Sequence, residues 1–208
     1  MKQESENSND ITVKTYQDHF DIYEKNTATV ASDESKVWMD SFLSKLPPNA
    51  KILEIGSATG RDARYFRSKG FEVNCTDIIP QALSKLKEEG FKTEIYDFRN
   101  TPKPEWLDNF DGYFANGVFV HSTQEVFEEN LKNISKIVHS GGIIGLSLKI
   151  GEGEEISYEK VNAPRYFKYY TEENLKHIIS QYPFEVVNLI YTHGEKWIRF
   201  ILKNNSSL

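Results

Sequence analysis

The sequence has a single cysteine, Cys75, which excludes an internal disulfide and any metal site built from several cysteines. Cys75 falls inside a predicted strand, so we expect it to be buried in the core rather than to act as a nucleophile. The chain also lacks an apolar run of the ~18 residues that a membrane helix needs, and its polar, acidic N-terminus has no signal-peptide core. These absences predict a cytoplasmic protein with no membrane span and no metal centre.

Positive charge is scarce as well. The 25 basic residues are outnumbered by 31 acidic ones, which gives a net charge of −6, and no basic cluster suggests a nucleic-acid surface. Because such surfaces are basic, a polyanionic substrate is disfavoured. The 208 residues, 38% of them hydrophobic and 13% aromatic, suffice for one packed domain with an appended segment.

The most informative stretch is residues 51–61, which read K-I-L-E-I-G-S-A-T-G-R, an apolar strand running into a glycine turn. Glycine lets a ligand approach the backbone, and Asp77, at the end of the next strand, can accept two hydrogen bonds from a ribose. A dinucleotide-binding turn requires G-x-G-x-x-G, but Ala58 and Arg61 stand at its second and third glycines. The pattern therefore indicates a nucleoside-bearing cofactor without a pyrophosphate.

Strand and helix patterns alternate along the chain. Strands are predicted at residues 51–55, 71–77, 91–96, 110–116 and 143–150, and a final pair at 184–191 and 197–202 is joined by a short turn. Alternation implies right-handed crossovers and a parallel sheet, whereas the final pair should form an antiparallel hairpin. We expect an α/β fold with a seven-stranded, mostly parallel sheet and helices on both faces. Residues 1–10 are polar, so we expect them to be disordered. Residues 122–125 read S-T-Q-E, which is typical of the capping box at the start of a helix.

The pattern E-x-G-x-x-x-G, formed by Glu54, Gly56 and Gly60, resembles the first motif of the class I S-adenosylmethionine-dependent methyltransferases. Ala58, in place of the motif's middle glycine, is the departure. Residues 147–154 and 165–171 are similar to S-x-K-x-G-x-G-E and R-Y-F-x-Y-Y-T, a signature of a bacterial subgroup of small-molecule methyltransferases. The resemblance implies a Rossmann-like enzyme that uses S-adenosylmethionine and releases S-adenosylhomocysteine.

The resemblance also implies roles for individual residues. Asp77 matches the acid that holds the ribose hydroxyls, and Asp97 and Phe98 match the segment that reads adenine. The end of the fourth strand should line the methionine part, and a tyrosine pair should fold over the cofactor as a lid. The expected cofactor-binding residues are Tyr16, Tyr23, Glu54, Gly56, Ser57, Ala58, Gly60, Arg61, Asp77, Ile78, Asp97, Phe98, Ala115 and Asn116.

Simpler structural roles stay open for several of these residues. The three acids could cap turns or solvate a loop, since Asp is common in turns. The two tyrosines could merely pack the N-terminal helix. Arg61 could pair with Asp62 or Glu54 instead of binding the carboxylate of the cofactor.

His121 follows the fourth strand, where the transferred methyl group should lie. Its unperturbed pKa lies near neutrality, so it is the best-placed base for a hydroxyl or protonated amine acceptor, although a structural role is equally compatible. A carboxylate acceptor would need no base, and His121 would then only position the substrate. The expected residues of the substrate pocket are His121, Lys149, Arg165, Tyr169 and Tyr170, the two tyrosines being equally suited to packing.

Two segments are available to build the pocket: a helical lid at residues 1–48, ahead of a cofactor-binding domain at 49–208, and a lid insertion at 151–170. Both are short, which favours a small molecule or a peptide. Residues 116–119 read N-G-V-F, without the prolines of the motif that methylates base amines in nucleic acids. We therefore expect methyl transfer to an oxygen or nitrogen of a small molecule or peptide, by a monomer or homodimer. The alternatives are a catalytically idle cofactor-binding regulator and, disfavoured by Ala58 and Arg61, a nicotinamide-dependent oxidoreductase.

Overall fold

The computed structural model describes residues 2–99, 106–107 and 109–206, in which helices and strands alternate along most of the chain. A short 3₁₀ turn at Phe119–His121 lies between the fourth strand and the sixth helix. The elements are α1 (Lys2–Asp18), α2 (Phe20–Lys25), α3 (Asp33–Leu43), β1 (Lys51–Ile55), α4 (Arg61–Ser68), β2 (Glu72–Asp77), α5 (Pro80–Glu88), β3 (Lys92–Ile95), β4 (Phe110–Asn116), α6 (Gln124–Ile137), β5 (Val138–Lys149), β6 (Glu154–Ser157), β7 (Arg165–Lys168), α7 (Glu172–Ser180), β8 (Phe184–Thr192) and β9 (Trp197–Asn204).

Seven of the described strands form one sheet in the order β3-β2-β1-β4-β5-β9-β8. Strands β1 to β5 are parallel, while β9 runs antiparallel to both β5 and β8. The expected seven-stranded, mostly parallel sheet with a C-terminal hairpin is therefore confirmed. The strand order reverses beside β1, because the chain moves outward through β2 and β3 and then returns to β4. Ligands of open α/β sheets bind at such a point, beyond the carboxyl ends of the strands.

Helices cover both faces of the sheet. On one face, the ring of Phe114 in β4 lies 4.5 Å from Trp38 of α3 and 4.7 Å from Phe66 of α4, measured between ring centroids. On the opposite face of the sheet, α6 buries Phe127 and Leu131, which are four positions apart and so lie on the same side of the helix. Cys75 is fully buried in β2, as expected of a packing residue.

The N-terminal segment is bonded to the insertion at residues 151–170. The Thr15 hydroxyl donates to the Pro164 carbonyl at 2.6 Å, and the Tyr166 amide donates to the Thr12 hydroxyl at 2.8 Å. The insertion itself contains the antiparallel pair β6 and β7, which the sequence pattern did not predict because each strand has four residues. These bonds join two segments that are far apart in the sequence, since Thr15 and Pro164 are separated by 149 positions.

Two local expectations were wrong. Helix α1 begins at Lys2, so residues 2–10 are helical rather than disordered, since they extend a helix that is anchored farther along by Thr12 and Thr15. The predicted capping box does not form either, because Thr123 is the N-cap of α6 and makes no side-chain cap bond. The Ser122 hydroxyl instead donates to the Phe119 carbonyl at 2.9 Å and closes the 3₁₀ turn. Each helix in the described residues is too short or too polar to cross a membrane.

Candidate active site

A crevice beyond the carboxyl ends of β1, β2 and β4 contains two adjoining cavities, of about 140 Å³ and about 660 Å³. The smaller cavity lies between the ends of β2 and β3 and helix α1, and the larger extends toward the insertion and the end of β5. Eight residues line both cavities and so mark where the two adjoin: Tyr16, Tyr23, Ile55, Gly56, Ala58, Asn116, Gly117 and His121.

The glycine turn after β1 forms the floor where the cavities meet. Gly56 has a φ of +66°, and a Cβ there would lie 2.8 Å from Cγ2 of Val118, so a larger residue would be strained and crowded. Ala58 also has a positive φ, of 48°. Its amide donates to Oδ2 of Asp77 at 2.9 Å, which ties the turn to the end of β2.

Asp77 faces the smaller cavity and is 8% exposed. Its Oδ1 atom accepts a hydrogen bond from the Ile79 amide at 2.9 Å. Burial raises the pKa of Asp77, whereas the bonds from Ile79 and Ala58 lower it in part. A carboxylate can accept about four hydrogen bonds, so the two that it accepts here leave capacity for a ligand. Asp77 thus holds the turn, and its remaining lone pairs are free for a ligand.

The other end of the smaller cavity is formed by Asp97 and Phe98, with Ile78 between them and Asp77. Asp97 accepts from Arg99 through the amide, Nε and Nη2 at 2.7–2.9 Å. The ring of Phe98 lies edge-on at 5.2 Å from Phe119. The cavity therefore offers a flat apolar wall beside a carboxylate that already has a counter-ion.

Glu54, the penultimate residue of β1, faces the larger cavity. Its Oε2 atom is buried and has no hydrogen-bond partner among the described residues, and the same holds for the hydroxyl of Ser57. Burial, reinforced by the negative charge of Asp62, raises the pKa of Glu54 to about 8. Glu54 is therefore mostly protonated near neutral pH until a cationic ligand group reaches it.

Arg61 pairs with Asp62 rather than with Glu54, through bonds of 2.6 and 2.9 Å. Oδ2 of Asp62 also accepts from the side-chain amide of Asn116 at 2.7 Å. The amide oxygen of Asn116 in turn accepts from the Ser147 hydroxyl at 2.8 Å. This chain of bonds fixes the ends of β4 and β5 relative to helix α4.

His121 lies in a hydrogen-bonded chain with Tyr16 and Arg165. Its Nδ1 atom is 2.8 Å from the Tyr166 carbonyl, which can only accept, so Nδ1 carries the proton and Nε2 accepts from the Tyr16 hydroxyl at 3.1 Å. Arg165 donates through Nη1 to the same hydroxyl oxygen at 3.1 Å. Burial, with the nearby charges of Arg165, Lys149 and Lys160, lowers the pKa of His121 to about 3.

The larger cavity also has residues that sequence patterns missed. Arg199 on β9 is 3% exposed, donates to the Ser35 hydroxyl at 3.1 Å, and has two buried nitrogens without a partner in the described part of the chain. Arg199 stands within the otherwise apolar stretch W-I-R-F-I-L, and a cation in such a strand is a sequence signal from which a buried functional residue could have been predicted. Lys160, whose amine lies 4.3 Å from the ring centroid of Tyr23, has no such signal.

The structure brings most of the expected site residues to the cavities. Four do not line either one: Gly60, Ala115, Tyr169 and Tyr170. Gly60 is the N-cap of α4 with a φ of +76°, and a Cβ there would lie 2.2 Å from Leu86. The remaining expected residues all line a cavity: Tyr16, Tyr23, Glu54, Gly56, Ser57, Ala58, Arg61, Asp77, Ile78, Asp97, Phe98, Asn116, His121, Lys149 and Arg165.

The other three residues that lie outside the cavities have structural contacts. Ala115, a residue of β4, is fully buried in the core. The Tyr169 hydroxyl donates to Glu155 at 2.6 Å, and Tyr170 packs against Phe127 with their ring centroids 5.8 Å apart. Neither tyrosine lines a cavity in this structure.

The segment that contains the glycine turn is similar to a known protein family. Residues 52–142, which include the glycine turn, Asp77 and the whole of β4, match the model of a methyltransferase domain. This stretch, a little under half of the chain, is therefore similar to a methyltransferase domain. The match agrees with the methyltransferase family and enzyme class expected from residues 51–61. A search of curated proteins gives no match to this sequence.

Solved methyltransferase structures share the whole fold. The CcbJ methyltransferase of Streptomyces caelestis superposes with a TM-score of 0.72 at 14% identity, over 92% of this chain and 98% of that one. A methyltransferase from Clostridium acetobutylicum gives 0.67 at 13% identity, over 85% and 94%. The 1,6-didemethyltoxoflavin-N1-methyltransferase of Burkholderia thailandensis, with bound 1,6-didemethyltoxoflavin and S-adenosylhomocysteine, gives 0.66 at 17%, over 84% and 79%. At these identities the likeness shows the fold alone.

Proposed function

We propose that this methyltransferase transfers the methyl group of S-adenosylmethionine to an oxygen or nitrogen of a small molecule or peptide. The observation that carries this proposal is the crevice at the end of β1, where Asp77 is held between two backbone amides and still faces a cavity. The small size of the surrounding cavities supports a small acceptor over a folded macromolecule.

The residues present fit the cofactor. The smaller cavity provides a carboxylate for the ribose hydroxyls and the ring of Phe98 for the adenine, beside Asp97. The larger cavity provides buried polar atoms without a protein partner in the described residues, on Glu54, Ser57 and Arg199. Unpartnered buried polar atoms are costly, so a ligand with polar ends is expected there. Glu54 suits an ammonium group, and Arg199 suits a carboxylate.

The protein's contribution to the chemistry is mainly positional. When bound, S-adenosylmethionine supplies a methyl group on a positively charged sulfur. The chain supplies a pocket that holds an acceptor close and aligned, and rings such as Tyr16 and Phe167 whose faces suit a cationic centre. His121 lies at the junction of the cavities with its lone pair facing the Tyr16 hydroxyl, and it orients that hydroxyl.

We place the lid in α1, α2 and the insertion, because these segments are bonded to each other above the crevice. Besides the two threonine bonds, Asn26 donates to the Lys160 carbonyl at 2.7 Å. Helix α3, in contrast, buries Trp38 and Phe42 in the core, so we assign α3 to the cofactor-binding domain rather than to the lid. Opening of α1 and α2 would admit both ligands, and their closure would exclude water. A monomeric or homodimeric, cytoplasmic protein stays a prediction.

Two measurements test the proposal. Isothermal titration should show binding of S-adenosylhomocysteine, and incubation with methyl-labelled S-adenosylmethionine and a panel of metabolites and short peptides should show label transfer. Binding with no transfer to any compound would favour the catalytically idle regulator instead. Absence of binding, with tight binding of NAD, would contradict the methyltransferase assignment of the site.

A further inference from the structure

The larger cavity is rich in positive charge although the chain as a whole has a net charge of −6. Its lining includes five Arg or Lys residues and three Asp or Glu residues. Arg61 is neutralised by Asp62, and Glu54 is mostly protonated near neutral pH. The excess charge therefore lies on Lys149, Lys160, Arg165 and Arg199.

These cations belong to two sides of the cavity. Arg199 lies against Ser35 and the ring of Trp38, on the side of α3, where it suits the carboxylate of the cofactor. Arg165 and Lys149 lie on the opposite side and share the ring of Phe167, with its centroid 5.0 Å from the guanidinium carbon and 4.2 Å from the amine. Lys160 lies at the rim, over the ring of Tyr23. The second group faces the space beside His121, whose pKa all three of these cations lower.

No residue of the second group forms an ion pair in the described part of the chain, and the carboxylates of Glu155 and Glu159 act on Lys149 only from beyond ion-pair distance. Arg165 is 5% exposed, donates to the Tyr16 hydroxyl and the Glu159 carbonyl, and keeps a buried Nε without a partner. Lys149 contacts aromatic faces, of Phe167 most closely. Burying a cation without an anion is costly, so a bound anion would stabilise this arrangement.

Among the described residues, the same wall offers no free imidazole or carboxylate base, and burial lowers the pKa of Lys160 only to about 8, so its amine stays mostly protonated near neutral pH. The lone pair of His121 Nε2 is taken by the Tyr16 hydroxyl, and the oxygen of that hydroxyl accepts from Arg165. Of the described carboxylates that line the cavity, Asp62 is bound to Arg61 and Asn116, and Glu159 is exposed at the rim. Glu54 is mostly protonated in the ligand-free protein and is taken by the ammonium group in the proposed cofactor complex. An acceptor that must lose a proton is poorly served here, whereas one that arrives as an anion needs no base.

We propose that the methyl acceptor is a small carboxylic acid whose carboxylate lies against Arg165 and Lys149, with Lys160 at the rim, and that a carboxylate oxygen receives the methyl group. This rests on the proposed methyl transfer. The carboxylate oxygen forms a bond to the methyl carbon, the carbon–sulfur bond breaks, and its electron pair remains on sulfur. The products are a methyl ester and S-adenosylhomocysteine, and no proton moves.

The test compares carboxylic acids with their primary amides, which have nearly the same shape without the charge. Protein saturated with S-adenosylhomocysteine is titrated calorimetrically with a panel of such pairs, from acetate and acetamide to benzoate and benzamide. The double variant Lys149→Met and Lys160→Met removes two of the charges and keeps apolar side chains of similar length. Lys132→Met is the matched control, because Lys132 is an exposed residue on α6 that pairs with Glu129 outside both cavities.

We expect at least one acid to bind at least about tenfold more tightly than its amide, since a desolvated ion pair contributes that much or more. The preference should fall to about twofold in the double variant and persist in Lys132→Met. Acids of the panel that are turned over should release labelled methanol in alkali, as methyl esters do. No preference for any acid, or a preference that survives in the double variant, would overturn the inference. Binding of S-adenosylhomocysteine is measured first, so failure of the proposed function is seen separately.

Discussion

The hydroxyl of Tyr16 donates to Nε2 of His121 at 3.1 Å, across 105 positions of sequence. Because Nδ1 of the same ring donates to the Tyr166 carbonyl, the imidazole is held neutral between the lid helix α1 and strand β7. Closure of the lid and the state of the histidine are therefore linked through one hydrogen bond.

Replacing Tyr16 by Phe should raise the pKa of His121, by roughly one unit, because it removes a hydrogen bond that favours the neutral ring. Nitrogen-15 NMR of the imidazole during a pH titration measures this. In the unaltered protein the ring should show the Nδ1–H tautomer and should not titrate between about pH 5 and 8. Tyr158→Phe, which alters an exposed tyrosine, should leave the titration unchanged. An identical His121 titration in Tyr16→Phe would show that the bond is not formed in solution.

Asp77→Ala should weaken binding of S-adenosylhomocysteine by ~1–3 kcal/mol, which is about 5- to 150-fold in Kd. The ribose hydroxyls would lose their acceptor, and the turn at Ala58 would lose its anchor. Calorimetric titration measures the affinity, and circular dichroism checks that the variant is folded. Asp33→Ala, at an exposed carboxylate paired with Lys36, is the control. A folded Asp77→Ala protein with unchanged affinity would place the ribose elsewhere.

Glu54→Gln should remove a pH dependence of stability in the ligand-free protein. The pKa of Glu54 is raised from 4.5 to about 8, so between these values the folded protein holds a proton that the unfolded chain has lost. Stability of the unaltered protein should therefore fall as pH rises through this window, and Glu54→Gln should lack that part of the fall. Urea unfolding at several pH values measures it. Parallel pH profiles for the two proteins would show that Glu54 is already ionised when folded.

Glu54 should also determine how many protons the protein releases when it binds S-adenosylhomocysteine. If Glu54 accepts from the ammonium group of the cofactor, binding near pH 7 should release close to one proton, because the opposite charge favours the ionised carboxylate. Titrations of S-adenosylhomocysteine in two buffers of different ionisation heat count that proton. Glu54→Gln should release close to none. Equal proton counts in both proteins would assign the ammonium to another partner.

Gly60→Ala should lower the free energy of unfolding by about 2–4 kcal/mol, from left-handed backbone strain and from crowding of Leu86. The affinity of the folded protein for S-adenosylhomocysteine should hardly change, since Gly60 lines neither cavity. Gly70→Ala is the matched control: its φ is +89° and its Cβ would meet nothing within 4 Å, so only the backbone cost of about 1–2 kcal/mol is expected. A larger loss of affinity than of stability would make Gly60 a ligand contact after all.

Local sequence was sufficient for the seven-stranded sheet and for the glycine turn beside β1. The apolar runs and their glycine and proline boundaries predicted the strands of the sheet, because strand burial and turn geometry depend on near neighbours in the chain. The turn at residues 56–60 and the acid at Asp77 come from consecutive strands, so their meeting followed from the parallel order alone.

Only the tertiary structure decided which distant side chains share the crevice. The chain Arg165–Tyr16–His121 joins β7, α1 and the 3₁₀ turn, and Arg199 and Lys160 face the larger cavity from β9 and the insertion. It also placed Leu86 of α5 where a Cβ at Gly60 would meet it. The physical reason is that such contacts depend on how whole elements pack and on which groups remain unpaired when they do. That balance is a property of the assembled core and lid, and no short stretch of sequence carries it.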